Sequence, residues 1–411
     1  MWFGIIGLVW IVCWSCCCIW IDGFSISSTL INHGRVWNPE EVKGGLSMSH
    51  VDEYDAVIVG GGPAGWLTAI SLAKEYGPSY KMAICEQRPL SSVTTKEEER
   101  LYLLEIGFRG QTVMTQLGVM DDFMDNSVPV YGRRDWAPGK GHTDGTISYS
   151  NKTVTSRILS REQLIHTISH HFITNYPMDN VDIYYGHQVS ITEFDTKDTP
   201  TVQVQITKCT STSNNNEEEV ECNVEDDTRL VRTSLLIGAD GSAWTIANAM
   251  EEQDKLRKQN IKNPWKRWRY QPFQVTRYED DNRKIFKSVT IQLPSDWPNQ
   301  LNYSAQPSDS CITLEALPFN DKGKMCALLL MKPTDDFAQA NANEEEFATF
   351  LQKEFPQFYN LIKREELNAI AKKPSSSLPA FQYVSPKLHV GKCTVILGDS
   401  AHTVKPYYKR W

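Results

Sequence analysis

The feature that most constrains the fold is a glycine-rich turn, Gly60-Gly61-Gly62-Pro63-Ala64-Gly65, directly after the apolar run 56–59. The run has the length of a buried strand, and residues 66–76 have helical spacing. Residues 81–85 predict a second strand, which completes a βαβ unit. In such a unit the first glycine allows a tight turn, the second lets backbone approach a pyrophosphate, and the third lets helix pack on strand. The sequence therefore predicts a doubly wound α/β fold that binds a dinucleotide.

An acidic residue at the end of the second predicted strand extends this pattern. Glu86 lies about 20 residues beyond the glycines, where a carboxylate binds a ribose hydroxyl. Amide groups at the start of the following helix, with the helix dipole, favour phosphate binding. This unit alone does not separate NAD from FAD as the ligand.

Two later segments have a Gly/Asp pair at the end of an apolar strand. They are Leu236-Ile237-Gly238-Ala239-Asp240-Gly241-Ser242 and Ile396-Leu397-Gly398-Asp399-Ser400-Ala401-His402. An aspartate at such a position can accept hydrogen bonds from a sugar or ribityl hydroxyl, and glycine allows close approach. Each segment taken singly is also compatible with an ordinary Asp-Gly turn. An NAD-dependent dehydrogenase would explain the first unit but leave Asp240 and Asp399 without a role.

The N-terminal segment, residues 1–21, contains no charged side chain and is long enough for a membrane-spanning helix. A retained membrane anchor and a cleaved targeting segment both remain open, since no basic residue precedes the run and the cleavage signal is poor. We therefore expect membrane association or organelle targeting. Residues 22–52 are polar and predict a linker.

The overall charge argues against a nucleic-acid partner. The net charge is −8, and phosphate binding needs a basic face. One basic cluster with aromatic residues spans 266–270, and we interpret it as a solvated surface because acidic residues follow at 279–281. The cysteines show no matched pairs with zinc-ligand spacing, so no metal site is predicted and reduced thiols are expected.

Taken together, the three motifs and the segment Ser160-Arg161-Glu162-Gln163-Leu164 resemble the class A flavoprotein monooxygenases, which are FAD-dependent aromatic hydroxylases. The resemblance runs from about residue 54 to residue 406. It implies a Rossmann-like FAD-binding domain with an interleaved β-sheet substrate domain. The cofactor-binding positions it implies are Gly60, Gly62, Ala64, Gly65, Glu86, Arg88, Arg109, Arg161, Val189, Asp240, Gly241, Thr245, Gly398 and Asp399.

The resemblance also implies a division of the chain. The FAD-binding domain would comprise residues 53–128, 151–248 and 386–411. The substrate domain would comprise the insertion 129–150 and residues 249–385.

Within the family, the segments around Arg133 and Tyr149 are similar to those of members that hydroxylate L-kynurenine. A guanidinium suits the substrate carboxylate, and a tyrosine hydroxyl can add a hydrogen bond beside an aromatic ring. Arg134 is the alternative to Arg133. The resemblance implies that NADPH reduces the flavin and that oxygen then supplies the atom added to the small aromatic substrate. It implies no catalytic side chain, and it places His402 in packing near the flavin.

The sequence departs from the family pattern at three points. After Pro406 the chain ends at Trp411, where the resemblance implies a Gly-rich turn and a further helix, so a C-terminally truncated chain is expected. The family's arginine after the Asp-Gly pair is missing, because Ile246 and Ala247 follow Thr245. Glu105 stands where a small residue is expected. Two alternatives therefore remain open, a non-catalytic membrane-tethered protein with a flavin fold and a sister hydroxylase acting on another aromatic acid.

Overall fold

The computed structural model describes residues 35–36, 51–90, 103–196, 198–214, 217–221, 228–278, 284–308, 311–339, 343–377 and 380–403. The strands, in chain order, are β1 (Arg35–Val36), β2 (Asp52–Val59), β3 (Met82–Glu86), β4 (Leu103–Ile106), β5 (Val128–Val130), β6 (Gly132–Trp136), β7 (Thr146–Tyr149), β8 (Ser156–Ser160), β9 (Val181–Tyr185), β10 (His187–Glu193), β11 (Val202–Lys208), β12 (Thr210–Asn214), β13 (Glu217–Glu221), β14 (Thr228–Gly238), β15 (Gln274–Arg277), β16 (Ile285–Gln292), β17 (Leu301–Ala305), β18 (Thr313–Pro318), β19 (Lys324–Met331), β20 (Ser376–Ser377), β21 (Gln382–Ser385), β22 (His389–Val390) and β23 (Thr394–Ile396). The helices are α1 (Pro63–Tyr76), α2 (Phe108–Leu117), α3 (Met120–Asp125), α4 (Arg161–Asn175), α5 (Thr245–Gln259), α6 (Pro264–Arg269), α7 (Glu344–Glu354), α8 (Pro356–Tyr359) and α9 (Arg364–Lys372).

The first sheet has the strand order β1-β9-β3-β2-β14-β11-β10, with β23 pairing beside β14 and β22 beside β23. The pairs β9-β3, β3-β2, β2-β14 and β14-β23 are parallel. Parallel strands need crossover connections, and helix α1 supplies the connection from β2 to β3. The predicted βαβ unit, its doubly wound context and the end of its second strand at Glu86 are thus confirmed.

Helices α1 and α4 cover one face of this sheet. Pro63 stands at the first turn of α1, where its missing N–H costs nothing, and Trp66 packs against Phe172 of α4 with ring centroids 5.8 Å apart. Helix α4 begins with a capping box, in which the Ser160 hydroxyl accepts from the Gln163 amide and the Gln163 side chain accepts from the Ser160 amide. These contacts fix where both helices begin.

The second sheet has the strand order β20-β16-β19-β18-β17-β6-β7. Its outer face packs on α7, α8 and α9 through a buried cluster that includes Phe347, Phe358 and Leu329. Its inner face packs on a small sheet, β4-β8-β5, through Leu103, Ile158 and other apolar residues. The polypeptide reaches this second unit twice, once at 132–149 and again after residue 284.

The predicted boundary at residue 249 is corrected by the structure. It falls inside helix α5, and Met250, Phe273 and Val275 are buried in the same core as strands β2 and β14 of the first sheet. Residues 249–277 therefore belong with the dinucleotide-binding unit. Apolar packing, rather than the end of the Asp240 motif, decides where the second unit begins.

Two further expectations from the sequence also change. Part of the predicted linker 22–52 joins the first sheet, because Arg35 and Val36 pair with β9. Residues 210–214 and 217–221 form the antiparallel hairpin β12-β13, whose pairing satisfies backbone hydrogen-bonding groups. Cys209 is disulfide-bonded, so the expectation of reduced thiols is wrong for this residue.

The N-terminal segment 1–21 lies outside the described residues, and its role as an anchor or targeting segment stays a prediction. Among the helices that the structure does describe, none combines the length and apolar character that crossing a bilayer requires.

Candidate cofactor and substrate site

Four parallel strands end at the same level of the first sheet. Cys85 pairs with Val59, Val59 pairs with Gly238, and Gly238 pairs with Ile396. The residues that follow are the glycine turn, Glu86 and the two Gly/Asp motifs. Because the carboxyl ends of these strands lie side by side, segments far apart in the chain meet around one crevice, as expected for a ligand site in a doubly wound sheet.

The glycine turn tolerates no side chain at two of its positions. Gly60 has φ +109°, and a Cβ there would overlap the backbone carbonyl of Ala239. A Cβ at Gly65 would overlap the carbonyl oxygen of Gly60. Gly62 differs, because a Cβ there would meet nothing within 4 Å. The space over Gly62 is therefore open to a ligand.

The start of helix α1 points donors into that space. Within the described structure no side chain caps its N-terminus at Gly62. The first amide groups of a helix lack partners inside the helix, and with the helix dipole they attract phosphate.

Glu86 is 8% exposed and already bound on both carboxylate oxygens. It accepts from the Gly61 amide at 2.9 Å and from the Arg88 amide and Nε at 3.0 Å. Burial alone would raise the pKa of Glu86, but the Arg88 charge and these hydrogen bonds outweigh burial and lower it. Glu86 is thus an anion at neutral pH, with lone pairs remaining for a sugar hydroxyl.

Two further charged groups lie beside this pair. Burial and the like charge of Arg88 lower the pKa of Arg161, while Glu86 and Asp399 act to raise it. Burial raises the pKa of Asp399 to about 6 against the opposing effect of Arg161. Glu86, Arg88, Arg161 and Asp399 therefore form one electrostatically linked group from three separate segments.

The second and third motifs are joined by direct hydrogen bonds. Ser400 Oγ donates to Asp240 at 2.7 Å and accepts from the Gly241 amide at 2.8 Å. Asp240 also accepts from the Ile246 amide at 3.2 Å, and Ile246 is fully buried. The position where the family's arginine was expected is thus filled by core packing. Ser400 was not predicted, although its place directly after Asp399 was visible in the motif.

The other predicted cofactor positions are dispersed around these segments. Gly398 lies against the first turn of α1, since a Cβ there would be 3.0 Å from Ala64 Cβ. Thr245 begins α5, and Arg109 is exposed on the first turn of α2. Val189 is 1% exposed in the core of the first unit, so only its backbone is available to a ligand.

His402 packs beside these motifs and is partly buried. Its ring contacts Phe381 with centroids 5.7 Å apart, and its buried Nδ1 has no hydrogen-bond partner among the described residues. Burial lowers the pKa of His402 despite a backbone hydrogen bond at Gln382 that acts to raise it. The neutral ring agrees with a packing role.

Arg133 lies on the inner face of the second sheet and is already paired. Its Nε donates to both carboxylate oxygens of Asp135 at 2.7 Å. Although burial acts to lower it, the pKa of Arg133 is raised by Asp135 together with Glu315 and Glu105. Asn302 Nδ2 donates to Glu105 at 3.3 Å from the neighbouring strand. These acidic neighbours were not predicted, because they come from strands distant in the sequence.

Arg134 and Tyr149 lie on the opposite face of that sheet. The Arg134 guanidinium stacks over Trp136 and Trp297, 5.0 and 4.7 Å from the ring centroids. Tyr149 pairs with Gly132, which lies on the same face of β6 as Arg134. The Tyr149 side chain is 70% exposed. Since paired residues point to the same face, the predicted grouping of Arg133 with Tyr149 around one substrate is wrong. Arg134, the alternative to Arg133, shares its face of the sheet with Tyr149, and its role stays a prediction.

The residues of the crevice fit a flavin adenine dinucleotide. Among the described residues, Arg88 Nη2 is buried without a hydrogen-bond partner. The Nε of the same side chain donates to Glu86, which also accepts from the Gly61 amide of the glycine turn. An anionic pyrophosphate would supply the missing acceptor, and Glu86 and Asp399 carry acceptors suited to hydroxyl groups.

Similarity to known proteins points the same way, although no family model matches the chain. Kynurenine 3-monooxygenase of Dictyostelium discoideum is 23% identical over 355 residues, which cover 85% of this chain and 65% of that protein. Kynurenine 3-monooxygenase of Anopheles gambiae is also 23% identical to this chain, over 86% of this chain and 63% of that protein. The chain thus spans just under two thirds of the length of these two relatives.

Solved structures give the fold. A 2-methyl-3-hydroxypyridine-5-carboxylic acid oxygenase superposes with a TM-score of 0.57 at 15% identity, covering 87% of this chain and 77% of the other. A p-nitrophenol 4-monooxygenase from Pseudomonas putida superposes with a TM-score of 0.53 at 13% identity, covering 87% of this chain and 75% of the other. The chain has the fold of the FAD-binding aromatic hydroxylases. The hydroxylase fold predicted from the motifs is confirmed.

Proposed function

We propose that this protein is an FAD-dependent, NADPH-using monooxygenase that hydroxylates a small aromatic substrate, with L-kynurenine converted to 3-hydroxykynurenine as the leading reaction. The observation that carries the proposal is the register of the first sheet, which brings the Gly60 turn, Glu86, Asp240 and Asp399 to one crevice. The similarity to kynurenine 3-monooxygenases supports the choice of substrate.

The flavin, when bound, would supply the redox and oxygen chemistry, and the protein would supply position. Helix α1 and Arg88 would hold the pyrophosphate, and Glu86 and Asp399 would accept hydrogen bonds from hydroxyl groups. Arg133 would orient the substrate from the inner face of the second sheet. Leu317, Leu328 and Phe286 on the same face would exclude water.

The first test is addition of FAD to the purified full chain. We expect bound flavin absorbance that persists through gel filtration, NADPH oxidation stimulated by L-kynurenine, and a product heavier by one oxygen atom. Stimulation by other aromatic compounds alone would refute the kynurenine assignment and leave the hydroxylase intact. Flavin binding without any stimulated NADPH oxidation would favour the non-catalytic alternative.

A sister hydroxylase acting on a different aromatic compound is the second candidate. Two observations favour it, the pairing of Arg133 with Asp135 and the position of Tyr149 on the far face. Both reduce the resemblance to a carboxylate site built from Arg133 and Tyr149.

The two adjacent arginines give a matched test of the substrate face. We expect Arg133→Gln to raise the KM for a carboxylate-bearing substrate by about tenfold, because one charge-assisted hydrogen bond to the substrate is lost. Arg134→Gln should leave KM within about twofold and instead destabilise the protein by about 1 kcal/mol, because its stacking on Trp297 is lost. Steady-state kinetics and urea denaturation measure both effects. The reverse pattern would show that the two faces are misassigned.

A further inference from the structure

A basic surface with exposed tryptophans lies on the dinucleotide-binding unit, and the proposed function does not use it. We call residues 255–269 the basic tryptophan patch. This stretch contains no aspartate or glutamate, in a chain whose net charge is −8. Its basic residues are Lys255, Arg257, Lys258, Lys262, Lys266, Arg267 and Arg269.

The patch exposes an unusual amount of apolar surface. Trp265 is 74% exposed, Trp268 is 75% exposed, and Leu256 is 53% exposed. The two indole rings contact each other edge-on with centroids 6.3 Å apart, so they form one apolar projection. Helix α6 buries none of its residues against the rest of the described chain. Exposed large apolar groups of this kind mark interaction sites.

The patch is held in place from behind. Tyr270 donates to Asp254 at 2.6 Å, and the Phe273 amide donates to the same carboxylate at 2.6 Å. Lys387 pairs with Asp254 at 2.8 Å, and Phe273 is fully buried. Asn263 caps the start of α6 by accepting from the Lys266 amide. The outward orientation of the tryptophans is therefore anchored in the core.

Most of the positive charge in the patch is unneutralised. Arg257 binds Asp195, and Lys255 pairs with Glu251. Within the part of the chain that the structure describes, no carboxylate lies within ion-pairing distance of Lys262, Lys266, Arg267 or Arg269. The tryptophans are thus flanked by cations that are available to an anionic partner.

We propose that the basic tryptophan patch docks on the surface of an anionic lipid bilayer. Indole rings favour the interface between headgroups and acyl chains, where one edge is apolar and the other is wet. Lysine and arginine beside them attract anionic headgroups, and basic helices that expose tryptophan bind in the plane of the interface. A second copy of the chain is a poorer partner, because a twofold contact would bring the same cations together.

The proposal does not depend on the flavin or on residues 1–21. It orients the dinucleotide-binding unit relative to a membrane whether or not the N-terminal segment is inserted. Its failure would therefore leave the proposed oxidoreductase function untouched.

The test uses the full chain and vesicles of phosphatidylcholine with brominated phosphatidylserine, which quenches tryptophan fluorescence on contact. We expect wild type to be quenched more than Trp265→Phe/Trp268→Phe. Tryptophans in residues 1–21 are present in both proteins, so the difference reports on the patch alone. Equal quenching of the two proteins would overturn the proposal.

A charge variant tests the headgroup contact. We expect Lys266→Gln/Arg267→Gln/Arg269→Gln to remove most of the quenching of Trp265 and Trp268 and to weaken their contact with anionic vesicles by at least about tenfold. The control Lys152→Gln/Lys322→Gln/Lys363→Gln makes the same charge change at exposed sites elsewhere and should behave as wild type. The proposal would be contradicted if the control lost as much quenching as the charge variant, or if wild type bound vesicles of pure phosphatidylcholine as well as anionic ones. Preferential binding of RNA through the patch would also contradict it.

Discussion

Replacing Gly65 with alanine is expected to destabilise the protein by at least about 3 kcal/mol, before any ligand is considered. A Cβ at this position would overlap the carbonyl oxygen of Gly60, which is backbone and cannot rotate away. Helix α1 would have to move off strand β2, and the core around Trp66 would open. Urea denaturation of the protein without FAD measures this loss.

Gly62→Ala is the matched control, with the opposite expected result. Gly62 has φ −77°, and a Cβ there meets no protein atom within 4 Å. The substitution should leave the free energy of unfolding unchanged or raise it by about 0.4–1 kcal/mol. It should nevertheless weaken FAD binding by about 100-fold, because the methyl group occupies the space of the pyrophosphate, at a cost of about 3 kcal/mol. If Gly62→Ala bound FAD as tightly as wild type does, the assignment of the glycine turn as the pyrophosphate site would be contradicted.

Asp399→Asn is expected to stabilise the protein without FAD at neutral pH and to weaken FAD binding. Burial raises the pKa of Asp399 from 3.8 to about 6, so the folded protein holds this proton more tightly than the unfolded chain. Wild type therefore loses stability as the pH rises from about 4 to above 6, and an amide avoids that loss. The expected gain above pH 6 is about 1–3 kcal/mol, at roughly 1.4 kcal/mol per pKa unit.

The pH profile separates this effect from a general stabilisation. The unfolding free energies of wild type and Asp399→Asn should converge near pH 4 and diverge as the pH rises. FAD affinity should fall by about tenfold in the variant, because a charge-assisted hydrogen bond becomes a neutral one. Asp336→Asn changes an exposed carboxylate and should show neither effect. A constant stability difference at all pH values would exclude Asp399 as the titrating group.

The proposed cofactor site follows from local patterns in the sequence. Gly60, Glu86, Asp240 and Asp399 each end a short apolar strand, and parallel strands place their carboxyl ends at one edge. The prediction therefore needs only the strands and their direction. It does not need the packing of side chains between distant elements.

The substrate face depends on information that local patterns do not carry. Whether Tyr149 shares a face with Arg133 depends on the pairing register of β6 with β7. A shift of one residue in this register would move Tyr149 to the other face of the sheet. The carboxylates Glu105 and Glu315 reach Arg133 only after three separate segments assemble. The boundary at residue 249 failed similarly, because α5 looks like an independent helix until Met250 packs into the first core.

The central claim is that the strand ends carrying Gly60, Glu86, Asp240 and Asp399 bind a single FAD molecule. The most direct measurement is an experimental structure of the full chain with FAD. The account predicts one FAD per chain, with its pyrophosphate over Gly62 beside Arg88 and hydroxyl groups bound to Glu86 and Asp399. A flavin bound elsewhere, or contacts to the Gly60 turn without contacts to Asp399, would contradict it.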